Sequence, residues 1–199
     1  MTEMYWDPTP HIRSSSGVSV EYGSGVFELP SPESYLFGSW ENRDWRNVPG
    51  PFYGAETDTC MMGREIAPLN ILYGDEMDEF VFRQPRNPLE VHKVLFAALN
   101  DPYGAYASDG DQYWTVAGVR DWWRSRERVR EWIHSASCGL AHRKNPTDHD
   151  LVSGLRDYLE YIDGDLERDL RVYMFHLDNG EAPEVDVILP DLWHSSRRS

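Results

Sequence analysis

Thiols and lysines are scarce in this chain: Cys60 and Cys138 are the only cysteines, and Lys93 and Lys144 the only lysines among 19 basic residues. Two distant cysteines cannot build a disulfide framework and read as reduced thiols. No stretch approaches the roughly 18 apolar residues of a membrane helix. Met1-Thr2-Glu3-Met4-Tyr5-Trp6-Asp7 lacks a basic start followed by an apolar run, so neither a membrane span nor a signal peptide is expected, and the expected compartment is the cytoplasm. Ser-centred elbows, phosphate loops and paired-His metalloprotease motifs are also missing. Gly23-Ser24-Gly25 lacks the third glycine and the following helix of a dinucleotide fingerprint. The preference for Arg over Lys points to a GC-rich coding sequence and carries no mechanism.

What the chain does have is aromatic mass and negative charge. Eight Trp and eleven Tyr within 40% hydrophobic content can support a packed core despite a formal charge of −15. At 199 residues, a single α+β domain over 1–192 is the economical expectation, with a flexible tail over 193–199. Residues 1–85 read as β-rich and loop-rich. Val18 to Tyr22 and Val26 to Leu29 flank a Gly-Ser-Gly turn, and Leu69 to Tyr73 and Phe80 to Phe82 flank an acidic turn; both pairs predict antiparallel hairpins. Between them, Pro30 to Pro68 predicts a long ordered loop with short strands.

Residues 86–180 read as three main helices. Asn87-Pro88-Leu89-Glu90 combines a cap, a first-position Pro and a third-position Glu, and predicts a helix to about Asn100. Thr115 caps a second helix reaching about Ser135. Thr147 starts a third, which runs to Asn179-Gly180. Alternation over 185–189 predicts a final strand.

The third helix dominates the charge layout. Residues 147 to 192 hold thirteen Asp and Glu against three Arg and no Lys, a formal −10. Leu151, Leu155, Tyr158, Leu159, Ile162, Leu166, Leu170, Tyr173 and Leu177 form one apolar stripe at three- and four-residue spacing. Asp150, Asp157, Glu160 and Glu167 fall opposite, and Asp163 lies near the flank. Arg156 to Glu160 and Glu167 to Arg171 are spaced for local ion pairs. Asp165 and Asp169 sit at the stripe's edge. On the Thr115 helix, Arg126 and Arg130 fall inside the stripe of Val119, Trp122, Trp123, Val129 and Ile133. A guanidinium in a core interface needs a partner, so these two are expected to pair in register with Asp165 and Asp169.

Candidate chemical sites are sparse. His134, Cys138, His142 and His149 have zinc-like ligand types, but Gly139 and Asn145-Pro146 interrupt their spacing, so no metal and no other cofactor is expected. Asp109-Gly110-Asp111 opens like a calcium loop, yet its twelfth position is Arg120 where a bidentate Glu is required; it reads as a turn. Trp40 to Gly54 is dense in Trp, Tyr, Pro and Gly, and suits either a rigid recognition surface or a loop anchored on the sheet. Trp40 to Cys60, Pro102-Tyr103-Gly104 and Asp109 to Trp114 together resemble a family of small actinobacterial proteins, some of them loosely labelled ferredoxin. The resemblance covers about half the chain and implies no mechanism. The ferredoxin label is not carried over, since an Fe–S cluster needs four protein ligands and no Cys-x-x-Cys is present.

The function expected from these features is a bacterial, non-enzymatic binding protein that captures a basic protein. Asp150, Asp157, Glu160, Asp163 and Glu167 would steer the encounter, and Trp40 and Trp45 would supply contact area. The composition is similar in style to toxin-neutralising immunity proteins. Carboxylates repel phosphate, so nucleic acid is disfavoured, and no membrane partner is expected. The alternatives are an enzyme with a site in the concavity between the loop region and the helices, using Asp58, Cys60, Asp109 or a His with or without zinc on the His134, Cys138, His142 and His149 set, and a subunit or scaffold of a larger assembly. The sequence carries no mark of an oligomeric state.

Overall fold

The computed structural model describes residues 6–57, 62–74, 78–140, 146–184 and 186–193. It mixes helix and strand as an α+β protein does, with small antiparallel sheets. The chain gathers into two compact units: one spans Asp7–Tyr113, and the other is built from Trp114 onward together with Trp6.

In the first unit, helix α1 (Thr9–Arg13) precedes strands β1 (Ser19–Tyr22) and β2 (Gly25–Glu28), the first expected hairpin. Val20 pairs with Phe27, and Gly23 takes the left-handed conformation (φ 58°) that so tight a turn requires. Short strand β3 (Tyr53–Gly54) and helix α2 (Met62–Ile66) punctuate the long loop. Strands β4 (Ile71–Tyr73) and β5 (Glu79–Val81) form the second expected hairpin; most of its acidic turn lies outside the described residues. Helix α3 (Pro88–Leu99) follows, and β6 (Tyr106–Ala107) returns to pair with β3. The α3 start matches its sequence signature: Asn87 Oδ1 accepts from Glu90 N at 3.0 Å, and its Nδ2 donates to Glu90 Oε1 at 2.7 Å. Ile71, Leu72, Phe80, Val91, Val94 and Leu95 are fully buried beneath these elements.

The change of architecture falls after residue 113, not after 85, because α3 and β6 pack with the strands. The second unit is helical throughout: α4 (Val116–Arg124), α5 (Arg126–Leu140), α6 (Pro146–Asp163) and α7 (Leu166–Asn179). Two expected helices are each divided. Thr115 caps α4 as predicted, its hydroxyl accepting from Gly118 N at 3.0 Å. The chain then turns at Ser125, whose hydroxyl donates to Trp122 O at 2.9 Å, a local alternative to helical bonding. The acidic helix breaks at Gly164-Asp165, where glycine contributes least to helix stability. Both breaks keep the apolar spacing in phase, so the stripe survives: Leu155, Tyr158, Ile162, Leu166, Leu170 and Tyr173 are all buried. Gly180 ends α7 in the left-handed conformation (φ 73°), donating to His176 O at 2.7 Å.

The expected final strand is absent: Val185 is outside the described residues, and 186–190 adopt turn and irregular backbone. Arginines instead hold carbonyls at the end of this segment and just beyond it. Arg171 donates to Leu189 O (3.2 Å) and Pro190 O (2.9 Å), and Arg120 donates to Asp191 O (2.8 Å). The expected tail is held at its first residue, with Leu192 fully buried and Trp193 edge-on to Trp123 at 6.0 Å; residues 194–199 lie outside the described residues.

Candidate functional site

Asp150, Asp157, Glu160, Asp163 and Glu167 are all exposed on α6 and α7, while the apolar stripe of the same helices is buried. Their local partners differ from expectation. Asp163, which has no basic residue at i, i+4 spacing, is paired with Arg130, which also lies 3.4 Å from Glu127. Arg156 stands 4.0 Å from Glu160, as the spacing predicts. Arg171 is turned to the backbone of 189–190, so it does not neutralise Glu167. Among the described residues, Asp157 and Glu167 have no ion-pair partner.

The in-register pairing of Arg126 and Arg130 with Asp165 and Asp169 does not form. Arg126 lies 4.0 Å from the Trp123 ring and 5.1 Å from that of Trp193, and donates to Trp123 O at 2.8 Å. A weakly hydrated guanidinium can be buried against π-faces without a carboxylate. Asp169 instead accepts from Tyr161 at 2.8 Å, and Asp165 is exposed at the start of α7. The −10 segment also shares its unit with residues 114–146, where seven Arg and Lys face three Asp and Glu, a formal +4.

Trp40 and Trp45 belong to the other unit. Trp40 is half-buried, with Tyr113 stacked on it at 5.0 Å, the Arg43 guanidinium at 3.8 Å and Tyr53 edge-on at 5.4 Å. Tyr53 donates to Asp109 at 2.8 Å. Burial, then that carboxylate, raises the phenol's pKa well above its ordinary value. The aromatic stretch is thus packed upon itself. Asn47 stitches it down: Nδ2 donates to Asp44 O (2.7 Å) and Gly54 O (2.8 Å), while Oδ1 accepts from Gly54 N (3.0 Å) and Val81 N (2.8 Å). Gly54 must be glycine because a Cβ there would collide with the Glu79 carbonyl.

Sequence reasoning missed two polar clusters in this unit, one ionic and partly buried, the other built on a fully buried carboxylate. Arg46 bonds Asp44 through Nε (2.9 Å) and Nη2 (2.5 Å), and also pairs with Asp78. Trp45 and Phe80 rings lie 5.5 and 5.0 Å from its guanidinium. Burial and a hydrogen bond with Asp44 push Asp78 up to about 6. Burial also pushes Asp44 upward, but the Arg46 bonds and charge outweigh it and hold that carboxyl below its ordinary value. In the second cluster, fully buried Glu79 accepts from Tyr106 (2.5 Å) and Gly63 N (3.0 Å). Burial, then the Glu79 charge, drives the Tyr106 pKa strongly upward. The Asp44–Asp78 approach spans more than thirty residues and has no local sequence signal beyond the density of the Trp40–Gly54 stretch.

Of the zinc-like set, His134 and Cys138 are exposed on α5, His142 lies outside the described residues, and His149 falls in the first turn of α6. Asp58 and Cys60 lie outside the described residues. Asp109 leads into a short 3-10 turn over Gly110–Gln112, as expected of a turn. No helix among the described residues is long and apolar enough to cross a membrane. No family model matches the chain, and neither a curated protein nor a solved structure is significantly similar to it.

Proposed function

We propose that this is a cytoplasmic acidic binding protein that captures a basic protein partner through the outward faces of α6 and α7, in the manner of an immunity protein. The observation that carries this reading is the exposure of Asp150, Asp157, Glu160, Asp163 and Glu167 on helices whose apolar face is already buried. These carboxylates are not needed for the core, and a regular helical scaffold holds them in fixed positions. A field of one sign raises the encounter rate with cations and repels nucleic acid and anionic membrane. Trp40 and Trp45 contribute indirectly, by fixing the loop of their own unit.

The Asp44–Arg46–Asp78 cluster does not shift the reading towards an enzyme. Both carboxylates are hydrogen-bonded to one guanidinium that ties the loop to β5, which is a structural task. The test is fluorescence anisotropy with a labelled synthetic arginine-rich peptide at low and high salt. Charge reversal at the five α6–α7 positions is expected to weaken binding at least roughly tenfold, with a shallower salt dependence. Binding that ignores both salt and charge reversal overturns the proposal.

A further inference from the structure

The segment after α7 combines three observations. It is pinned: Arg171 and Arg120 hold the carbonyls of Leu189, Pro190 and Asp191, and Leu192 is fully buried. It nevertheless presents Ile188 at 92% exposure, beside Val187 at 38%. It is also acidic in sequence: no Lys or Arg occurs from 172 to 196, and Asp178, Glu181, Glu184, Asp186 and Asp191 are exposed, while the guanidiniums of Arg171 and Arg120 are spent on the backbone carbonyls. A β-branched residue held almost wholly in solvent on an ordered segment gains nothing for folding. Flanked in sequence by exposed Asp186 and Asp191, it has the composition of an interface centre, an apolar anchor with charged neighbours.

We infer that residues 186–191 are the apolar anchor of the docking surface, and that they receive a partner segment carrying an aliphatic side chain flanked by Arg or Lys. This rests on the proposed capture of a basic protein and names the chemistry that steering by charge alone leaves open. The flanking carboxylates select cations on either side of the anchor, and Ile188 supplies the apolar contact that slows dissociation. Because the segment is already tied to α4 and α7, little backbone entropy is lost on binding. A second copy of this chain is a poor occupant, since each copy carries −15.

The test uses the full chain and two labelled synthetic peptides of equal charge, one alternating Arg with Leu and one alternating Arg with Ser. The leucine peptide is expected to bind at least roughly tenfold tighter, and Ile188→Ser to abolish that preference while leaving the serine peptide's affinity unchanged. Ile188 is so exposed that its replacement leaves the fold intact, which an unchanged melting temperature checks. Equal affinity for the two peptides, or a preference that survives Ile188→Ser, overturns the anchor while leaving the charge-based reading in place. Loss of salt dependence for both peptides overturns the charge-based reading itself. A dimer in sedimentation that Ile188→Ser converts to monomer makes a second copy the occupant and also overturns the inference.

Discussion

Between Asp7 and Tyr113, buried carboxylates end on named internal donors: Asp44 and Asp78 on Arg46, Glu79 on Tyr106 and Gly63 N, and Glu90 on Asn87, Asn70 and Arg86 N. Between Asp150 and Glu167, six carboxylates are in solvent. Yet the first unit is the more acidic by count, with 17 Asp and Glu against 7 Lys and Arg, a formal −10, where residues 114–199 hold 16 against 12, a formal −4. Formal charge is therefore a poor guide to a docking face. What matters is whether a carboxylate's hydrogen-bonding capacity is already used inside the fold: among the described residues the buried acids all lie in the first unit, beside exposed ones such as Glu21 and Glu28, whereas those of α6 are in solvent.

Arg46→Met should break the contrast most visibly. It leaves Asp44 and Asp78 without their shared cation, and a loss of about 3–5 kcal/mol in denaturant unfolding is expected. Glu79→Ala should follow at about 2–4 kcal/mol, because Tyr106 and Gly63 N lose their acceptor in a dry site. In the other unit Asp163→Asn removes only the partly exposed pair with Arg130, and the expected cost is at most about 1 kcal/mol. Asp157→Asn should change stability by less than about 0.5 kcal/mol. A small loss for Arg46→Met alongside a large one for Asp163→Asn would reverse the contrast.

Acidity sharpens the same comparison. Asp78 is raised from an ordinary 3.8 to about 6, so the folded state holds its proton more tightly than the unfolded chain does. Its contribution is full below about pH 4 and is lost as pH rises through 6. Asp44 is lowered, so its contribution is present above its ordinary value of 3.8 and disappears as pH falls through its folded pKa. Carboxyl NMR should place the Asp78 midpoint near 6, and Asp78→Asn should remove the stability change between pH 4 and 6. A midpoint near 4 would show that burial and Asp44 do not act on it as described.

Much of the local fold was legible because its signals are short-range. Asn87, Pro88 and Glu90 announced α3, Gly180 announced the end of α7, and two turn-punctuated alternations became hairpins. The breaks at Ser125 and Gly164 were hidden because apolar spacing runs through both. The 185–189 alternation misled for a different reason: a strand exists only with a neighbour, and the described residues 186–189 have no partner strand, while Arg171 holds the carbonyl of Leu189 at the segment's end. Asp44–Arg46–Asp78 and the stack of Trp40 on Tyr113 join residues far apart in sequence, which no local pattern reveals. For the docking face, the outward acids were readable from helical periodicity. Ile188 was not, because its alternation pointed to a buried strand.

The most direct test compares two variants that remove the same charge from different places. One replaces Asp150, Asp157, Glu160, Asp163 and Glu167 by their amides; the other does so at Glu21, Glu28, Glu33, Glu41 and Glu65, all exposed in the first unit. Affinity for the alternating Arg/Leu peptide should fall at least roughly tenfold in the first variant and change little in the second. Equal losses in the two would mean that net charge, and not the α6–α7 face, does the binding, and would contradict the account.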